Sequence, residues 1–167
     1  MTHLIVIAGA PGSGKSTIAA LLQTKLDSPM FEFGWIPEFR NTGDRRTSYE
    51  EDEGIAFENL SLVTHNYIKH GYRNIIITDL ENKRLADLSE TYKDIDYKLF
   101  TLRVNSDDIL KTRVLDDTRS SGYRDWQEAI EINNHLLSRK ELDNEIFIDI
   151  SEESPDTIVE KILPSII

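Results

Sequence analysis

Short, uninterrupted apolar runs alternate along this chain with longer stretches whose apolar residues fall three or four apart. The first run, Leu4 to Ala8, has no polar break, the mark of a strand covered on both faces. A helix is predicted from Lys15 to about Leu26, closed by Asp27-Ser28-Pro29. Met30 to Trp35 reads as a second strand. From about Glu50 to Lys69, Ala56, Leu60, Val63 and Tyr67 form a helical stripe, and Gly71 stands where a helix end takes a left-handed residue. Asn74-Ile75-Ile76-Ile77-Thr78 is a third strand, ending at Asp79, with a short helix near Lys83 to Thr91. Tyr97 to Val104 is a fourth strand. Ser106 or Asp107 caps a helix to about Leu115, and Asp125 caps another to about Lys140. Glu145 to Ile150 is a fifth strand, and Ser154-Pro155 opens a last helix to about Leu163.

Strands alternating with helices in this way predict an α/β fold, a five-stranded parallel sheet between two helical layers. Ligands of such sheets bind beyond the carboxyl ends of the strands, here Ala8, Trp35, Thr78-Asp79, Val104 and Ile150. Two segments break the pattern. Pro37 to Tyr49 holds Pro, Gly, Asn, Thr and three arginines without a period, and Asp116 to Tyr123 is polar with one glycine. A long stretch of the first kind in a compact domain is commonly functional or disordered.

Composition narrows the class. The 167 residues suit one domain spanning 1–167, able to bury about 70% of the surface of its unfolded chain. Against 19 Lys and Arg stand 30 Asp and Glu, a net charge of −11. That disfavours nucleic acid or an anionic membrane as partner, since both attract basic surface. The absence of cysteine removes disulfides, thiol catalysis and zinc–thiolate sites. No apolar run approaches the ~18 residues of a membrane helix, and Met1 to Ile7 lacks the basic lead of a signal peptide. A cytoplasmic protein, monomer or homodimer, is expected. His3, His65, His70 and His135 are scattered without metal-ligand spacing.

One motif carries specific chemistry. Gly9-Ala10-Pro11-Gly12-Ser13-Gly14-Lys15-Ser16-Thr17 matches G-x-x-x-x-G-K-[ST], between a buried strand and a helix. Glycines let successive N–H groups turn inward as an anion nest, and the helix N-terminus adds partial positive charge. Lys15 is then expected on the β- and γ-phosphates of ATP, and the Ser16 hydroxyl on Mg²⁺. Asp79, closing the third strand, is placed to orient the metal or its water, or else to cap the helix that follows. A guanine-selective N-K-x-D is missing, because Asn82-Lys83-Arg84-Leu85 fails at its fourth position.

With this loop at its start, the short chain resembles the small P-loop kinases: nucleoside monophosphate, shikimate, gluconate and adenylylsulfate kinases and chloramphenicol phosphotransferase-like proteins. The resemblance implies a P-loop NTPase sheet with the second and third strands on one side of the first. It implies a short lid at about 116–124 and an acceptor loop at about 36–49. In Leu110 to Arg119, Arg113 and Arg119 resemble the arginines that close over the transferring phosphoryl group, with Arg124 a third candidate. Relatives carry a base aspartate just after the second strand; Ile36 stands there, and Glu38 or Asp44 could serve instead. Arg40, with Arg45 and Arg46, could hold an anionic acceptor or pair with Glu50 to Glu53, a run that also suits the start of its helix. Trp35, Phe39 and Tyr49 could stack on a ring or join the core. Phe147 to Pro155 resembles the adenine-cradling turn, making Ser151 a nucleotide-binding candidate.

The expected activity is transfer of the ATP γ-phosphoryl group, with Mg²⁺, to a small-molecule acceptor. A nucleotide hydrolase or switch, and a binding protein without turnover, remain open beside it.

Overall fold

The structure, a computed structural model, describes residues 2–36, 48–118 and 121–166. Its framework is one all-parallel sheet of five strands: β1 (Leu4–Gly9), β2 (Met30–Glu32), β3 (Ile75–Thr78), β4 (Tyr97–Arg103) and β5 (Glu145–Asp149). The order across the sheet is β2-β3-β1-β4-β5, so β2 and β3 lie together on one side of β1. The helices are α1 (Lys15–Leu26), α2 (Tyr49–Lys69), α3 (Asn82–Leu85), α4 (Leu88–Thr91), α5 (Asp107–Leu115), α6 (Trp126–Ser138) and α7 (Pro155–Ile162).

Strand alternation builds two cores. Ile5, Ile7, Ile76, Phe100 and Leu102 face Ile18 and Leu22 of α1 and the apolar sides of α5, α6 and α7. Leu4, Val6, Ile75, Ile77 and Leu99 face Phe57 and Leu60 of α2 together with Leu85 and Leu88. Residues 4–8 and 75–78 are buried without interruption, which is why they read as unbroken apolar runs. Helix starts follow local chemistry: Ser48, Ser106, Asp125 and Ser154 each accept an N–H bond from three residues on. Gly71 takes φ +89° after α2.

Three expectations change. The buried side of α2 is Glu53, Phe57, Leu60 and Thr64, while Ala56, Val63 and Tyr67 are only half-buried. The spacing of the stripe was right and its rotation wrong, because a buried glutamate held by cations was not counted as a core position. The second strand ends at Glu32, and Phe33–Trp35 form a turn of 3₁₀ helix, with Gly34 in its middle. The helix expected near 83–91 is two separate short turns, α3 and α4.

Candidate functional site

At the end of β1 the chain turns through Gly9 (φ +149°), Gly12 (φ +84°) and Gly14 (φ +83°) into α1. A Cβ on Gly9 would lie 2.5 Å from Ser13 Oγ and 2.8 Å from the Leu102 carbonyl; one on Gly12 would lie 2.7 Å from Val114 Cγ2. The loop is thus pressed against β4 and α5 on one side. At Gly14 a Cβ would meet nothing within 4 Å, so the loop opens there. Lys15 Nζ donates to the carbonyls of Gly9 (3.0 Å) and Ala10 (3.2 Å) and stands 4.0 Å from Asp79 Oδ1. Ser16 and Thr17 are exposed in the first turn of α1.

Asp79 follows β3 with φ +66°, a left-handed backbone unusual for a residue with a Cβ. Asp27, Asn74 and Asn144 share this backbone, which Asp and Asn adopt more readily than other side chains. Asp79 does not cap the next helix, since α3 begins at Asn82 with Glu81 before it. Its carboxylate is half exposed and lines a cavity of about 920 Å³ shared with Gly9, Pro11 and Lys15 of the loop. Phe33, Gly34 and Ile36 form one wall, the start of α2 another, and Glu128 with Ile132 of α6 a third. Tyr49 is exposed at this cavity, not in the core, and its hydroxyl donates to Glu81.

Glu53 is the residue that sequence reasoning passed over. It is 4% exposed, beneath the cavity. Arg84 grips it through Nε (2.8 and 3.1 Å) and Nη2 (2.6 Å), and Lys83 Nζ stands 2.9 Å away. The Arg84 hydrogen bonds, opposed by burial and helped by Lys83, hold its carboxyl below the usual range. This cluster ties α2 to the segment after β3 that carries Asp79 and Glu81. Its sequence signal was an acid i, i+4 and i+7 with Phe57 and Leu60 on one helix face. The partners, 31 residues away for Arg84, gave no local sign.

Arg113 lies at the other end. Its Nη2 donates to the carbonyls of Ile150 (2.9 Å) and Ser151 (3.2 Å), placing it beside the turn after β5 and not among the residues lining the Lys15–Asp79 cavity. Ser151 Oγ donates to Asp149 (2.6 Å) and accepts from the Asn105 N–H (2.8 Å). The Ser151 hydroxyl, against the opposing effect of burial, lowers the Asp149 pKa, with the Ser151 N–H and Asn105 assisting. Asn105, Ser106, Ile109, Asp149 and Ser151 line a smaller cavity of about 370 Å³ at the ends of β4 and β5. Arg124 points into its own turn, donating to the carbonyls of Ser121 and Tyr123. Glu38, Arg40, Asp44, Arg45, Arg46, Phe39 and Arg119 lie outside the described residues.

Two observations fit a nucleotide phosphate chain with a divalent cation. The turn is packed so closely at Gly9 and Gly12 that an added Cβ would clash, and Ser13 Oγ within it and Thr78 Oγ1 at the end of β3 are buried without a hydrogen-bond partner. Among the described residues no cluster of three His, Asp or Glu could hold a metal alone. A cation here would depend on phosphate oxygens, Ser16 and Asp79.

Strand order, glycine turn and lysine together define a P-loop α/β fold, the fold of the small P-loop kinases. No protein-family model matches the sequence, and comparison with curated proteins gives no match. Solved structures do match over nearly the whole chain. A sugar kinase from Janibacter sp. HTCC2649 aligns at TM-score 0.69 and 17% identity, over 98% of this chain and 94% of its own. A gluconokinase from Sinorhizobium meliloti 1021 aligns at 0.70 and 14%, over 98% and 91%. The tunicamycin resistance protein of Deinococcus radiodurans aligns at 0.68 and 17%, over 99% and 95%.

Proposed function

We propose that this protein is a phosphotransferase that moves the γ-phosphoryl group of ATP, with Mg²⁺, to a small-molecule acceptor. The carrying observation is the glycine cradle with Lys15 at its centre, 4.0 Å from Asp79, at the floor of a cavity large enough for a second substrate. The small cavity at Asn105, Asp149 and Ser151 suits the base of the nucleotide, with Arg113 anchoring that turn. The phosphates then run over residues 9–17 toward Lys15. Ser16 and Asp79 would hold and orient the cation, which would neutralise charge on the phosphate oxygens.

Lys15 is poised to change partners. Its present bonds to two loop carbonyls are replaced by phosphate oxygens when nucleotide binds, and it stabilises the charge of the transferring group. The acceptor oxygen forms the new bond to phosphorus as the bond to the β-phosphate bridging oxygen breaks. In the cavity, Phe33 and Tyr49 offer flat apolar surface to the acceptor, and Asp52, Glu81 and Glu128 offer hydrogen-bond acceptors to its hydroxyl groups. An anionic acceptor would draw on Arg40 of the acceptor loop.

ATP consumption, measured with and without a panel of sugars, sugar acids, nucleosides and nucleotides, tests the reading. Stimulation by one acceptor class supports it. Hydrolysis that no acceptor stimulates would favour a nucleotide switch.

A further inference from the structure

Among the described residues, buried hydroxyls away from the glycine loop find partners. Thr64 Oγ1 donates to the Leu60 carbonyl at 3.0 Å and lies 3.0 Å from the Tyr92 hydroxyl; Thr101 Oγ1 donates to Glu145 at 2.5 Å. Thr78 is different. It is 1% exposed, and Oγ1 has neither solvent nor a partner. A buried hydroxyl in that state costs about 1–3 kcal/mol relative to a paired one, and an isosteric valine would avoid the cost.

Position says what the hydroxyl awaits. Thr78 is the last residue of β3, in register with Ile7 of β1, two residues before the glycine turn, and with Glu32 at the end of β2. Alternation along β3 sets Thr78 on the face of Ile76, the face packed against α1. That is the helix whose first turn presents Ser16. The next residue is the left-handed Asp79, beside Lys15. Ser13 Oγ, likewise buried and unpaired, belongs to the same loop.

We propose that Thr78 is a metal-positioning residue. Its hydroxyl pairs with the hydration shell of the cation that accompanies the nucleotide, so its hydrogen bond is made only in the loaded site. This rests on the phosphotransferase reading and extends it from Ser16 and Asp79 to the strand beneath them. A threonine with no part in metal binding predicts the same gain in stability for Thr78→Val but an unchanged response to Mg²⁺, so the Mg²⁺ response separates the two readings.

The test measures ATP binding by calorimetry, with EDTA and with Mg²⁺, together with thermal melting of the free protein, for wild type, Thr78→Val and Thr78→Ser. The free valine variant is expected to melt at or above wild type and to bind ATP equally well in EDTA. The tightening on adding Mg²⁺ should fall by about three- to tenfold, the size of one hydrogen bond, and serine should restore it. If valine fails to fold, Thr78→Ala is compared with Thr78→Ser in the same way. Equal Mg²⁺-dependent tightening in valine and wild type overturns the proposal. Wild type that binds ATP but ignores Mg²⁺ overturns it too, leaving nucleotide binding intact. Wild type that binds no ATP overturns both readings.

Discussion

Lys15 donates to two carbonyls of its own loop and stands 4.0 Å from a half-exposed Asp79, so its removal leaves no buried carboxylate there. Lys15→Ala is therefore expected to keep an unfolding free energy within about 1 kcal/mol of wild type while phosphoryl transfer disappears. Asp79 can be dissected in the same way. Asparagine tolerates the left-handed backbone, alanine does not. Asp79→Asn should fold as well as wild type and lose at least about tenfold in transfer, and Asp79→Ala should lose stability as well, by about 1–2 kcal/mol. Denaturant unfolding and steady-state assays separate the two effects. The glycines differ among themselves. Gly12→Ala adds a methyl 2.7 Å from Val114 at φ +84°, whereas Gly14→Ala adds one in open space at φ +83°. Both carry backbone strain, but only Gly12→Ala must also push α5 away. It should cost about 1–3 kcal/mol more in unfolding experiments. The loop chemistry was legible from sequence because it is written in contiguous residues. The end of β2 was not: Glu32 looked like the middle of a strand until Phe33–Trp35 turned out to be helical.

Elements meet at the site through one buried carboxylate. Glu53 fastens the start of α2 to the segment of residues 79–84, and with it one wall of the cavity to its floor. Glu53→Gln keeps the shape but removes the charge that Arg84 and Lys83 face. A loss of about 1.5–3 kcal/mol at neutral pH is expected, the range for hydrogen bonds to charged groups. The pH dependence has a definite sign. The folded-state pKa of Glu53 is depressed, so its contribution is fully present above the unfolded value of about 4.3 and is lost as pH falls through the folded value. Melting curves of wild type and Glu53→Gln should therefore converge as the pH drops below about 4, wild type falling toward the variant. A constant gap down to pH 3 would contradict the clamp. An acid among Glu50 to Glu53 suggested a favourable helix start or a partner for the arginines of residues 40–46, and Glu50, Glu51 and Asp52 do occupy that first turn. The fourth acid differs because Arg84 reaches it from a distant part of the chain. No periodicity carries that information.

For the molecule as a whole, the sheet order β2-β3-β1-β4-β5 does the positioning. The carboxyl ends of β1 and β3 deliver the glycine loop, Thr78 and Asp79 side by side. Beyond the β2 end lies the wide cavity; beyond β4 and β5 lies the narrow one with Arg113. Alternating apolar runs and helical stripes made this architecture readable, since each strand is short, apolar and followed by its helix. The separation of the two cavities was less readable. Arg113 resembled a group closing over the transferring phosphoryl group; its guanidinium bonds the carbonyls of Ile150 and Ser151, a contact between segments 37 and 38 residues apart that no local pattern signals. The net charge of −11 likewise acquires a local meaning: the cations Lys15 and Lys83 line the cavity, and Arg84 pairs with Glu53 beneath it, within an acidic chain. The most direct test of the central claim is transfer of label from γ-labelled ATP into a metabolite pool by wild type and Lys15→Ala. The account predicts label in one class of small molecule with wild type and none with the variant. Label appearing only as inorganic phosphate, or equal transfer by both proteins, would contradict it.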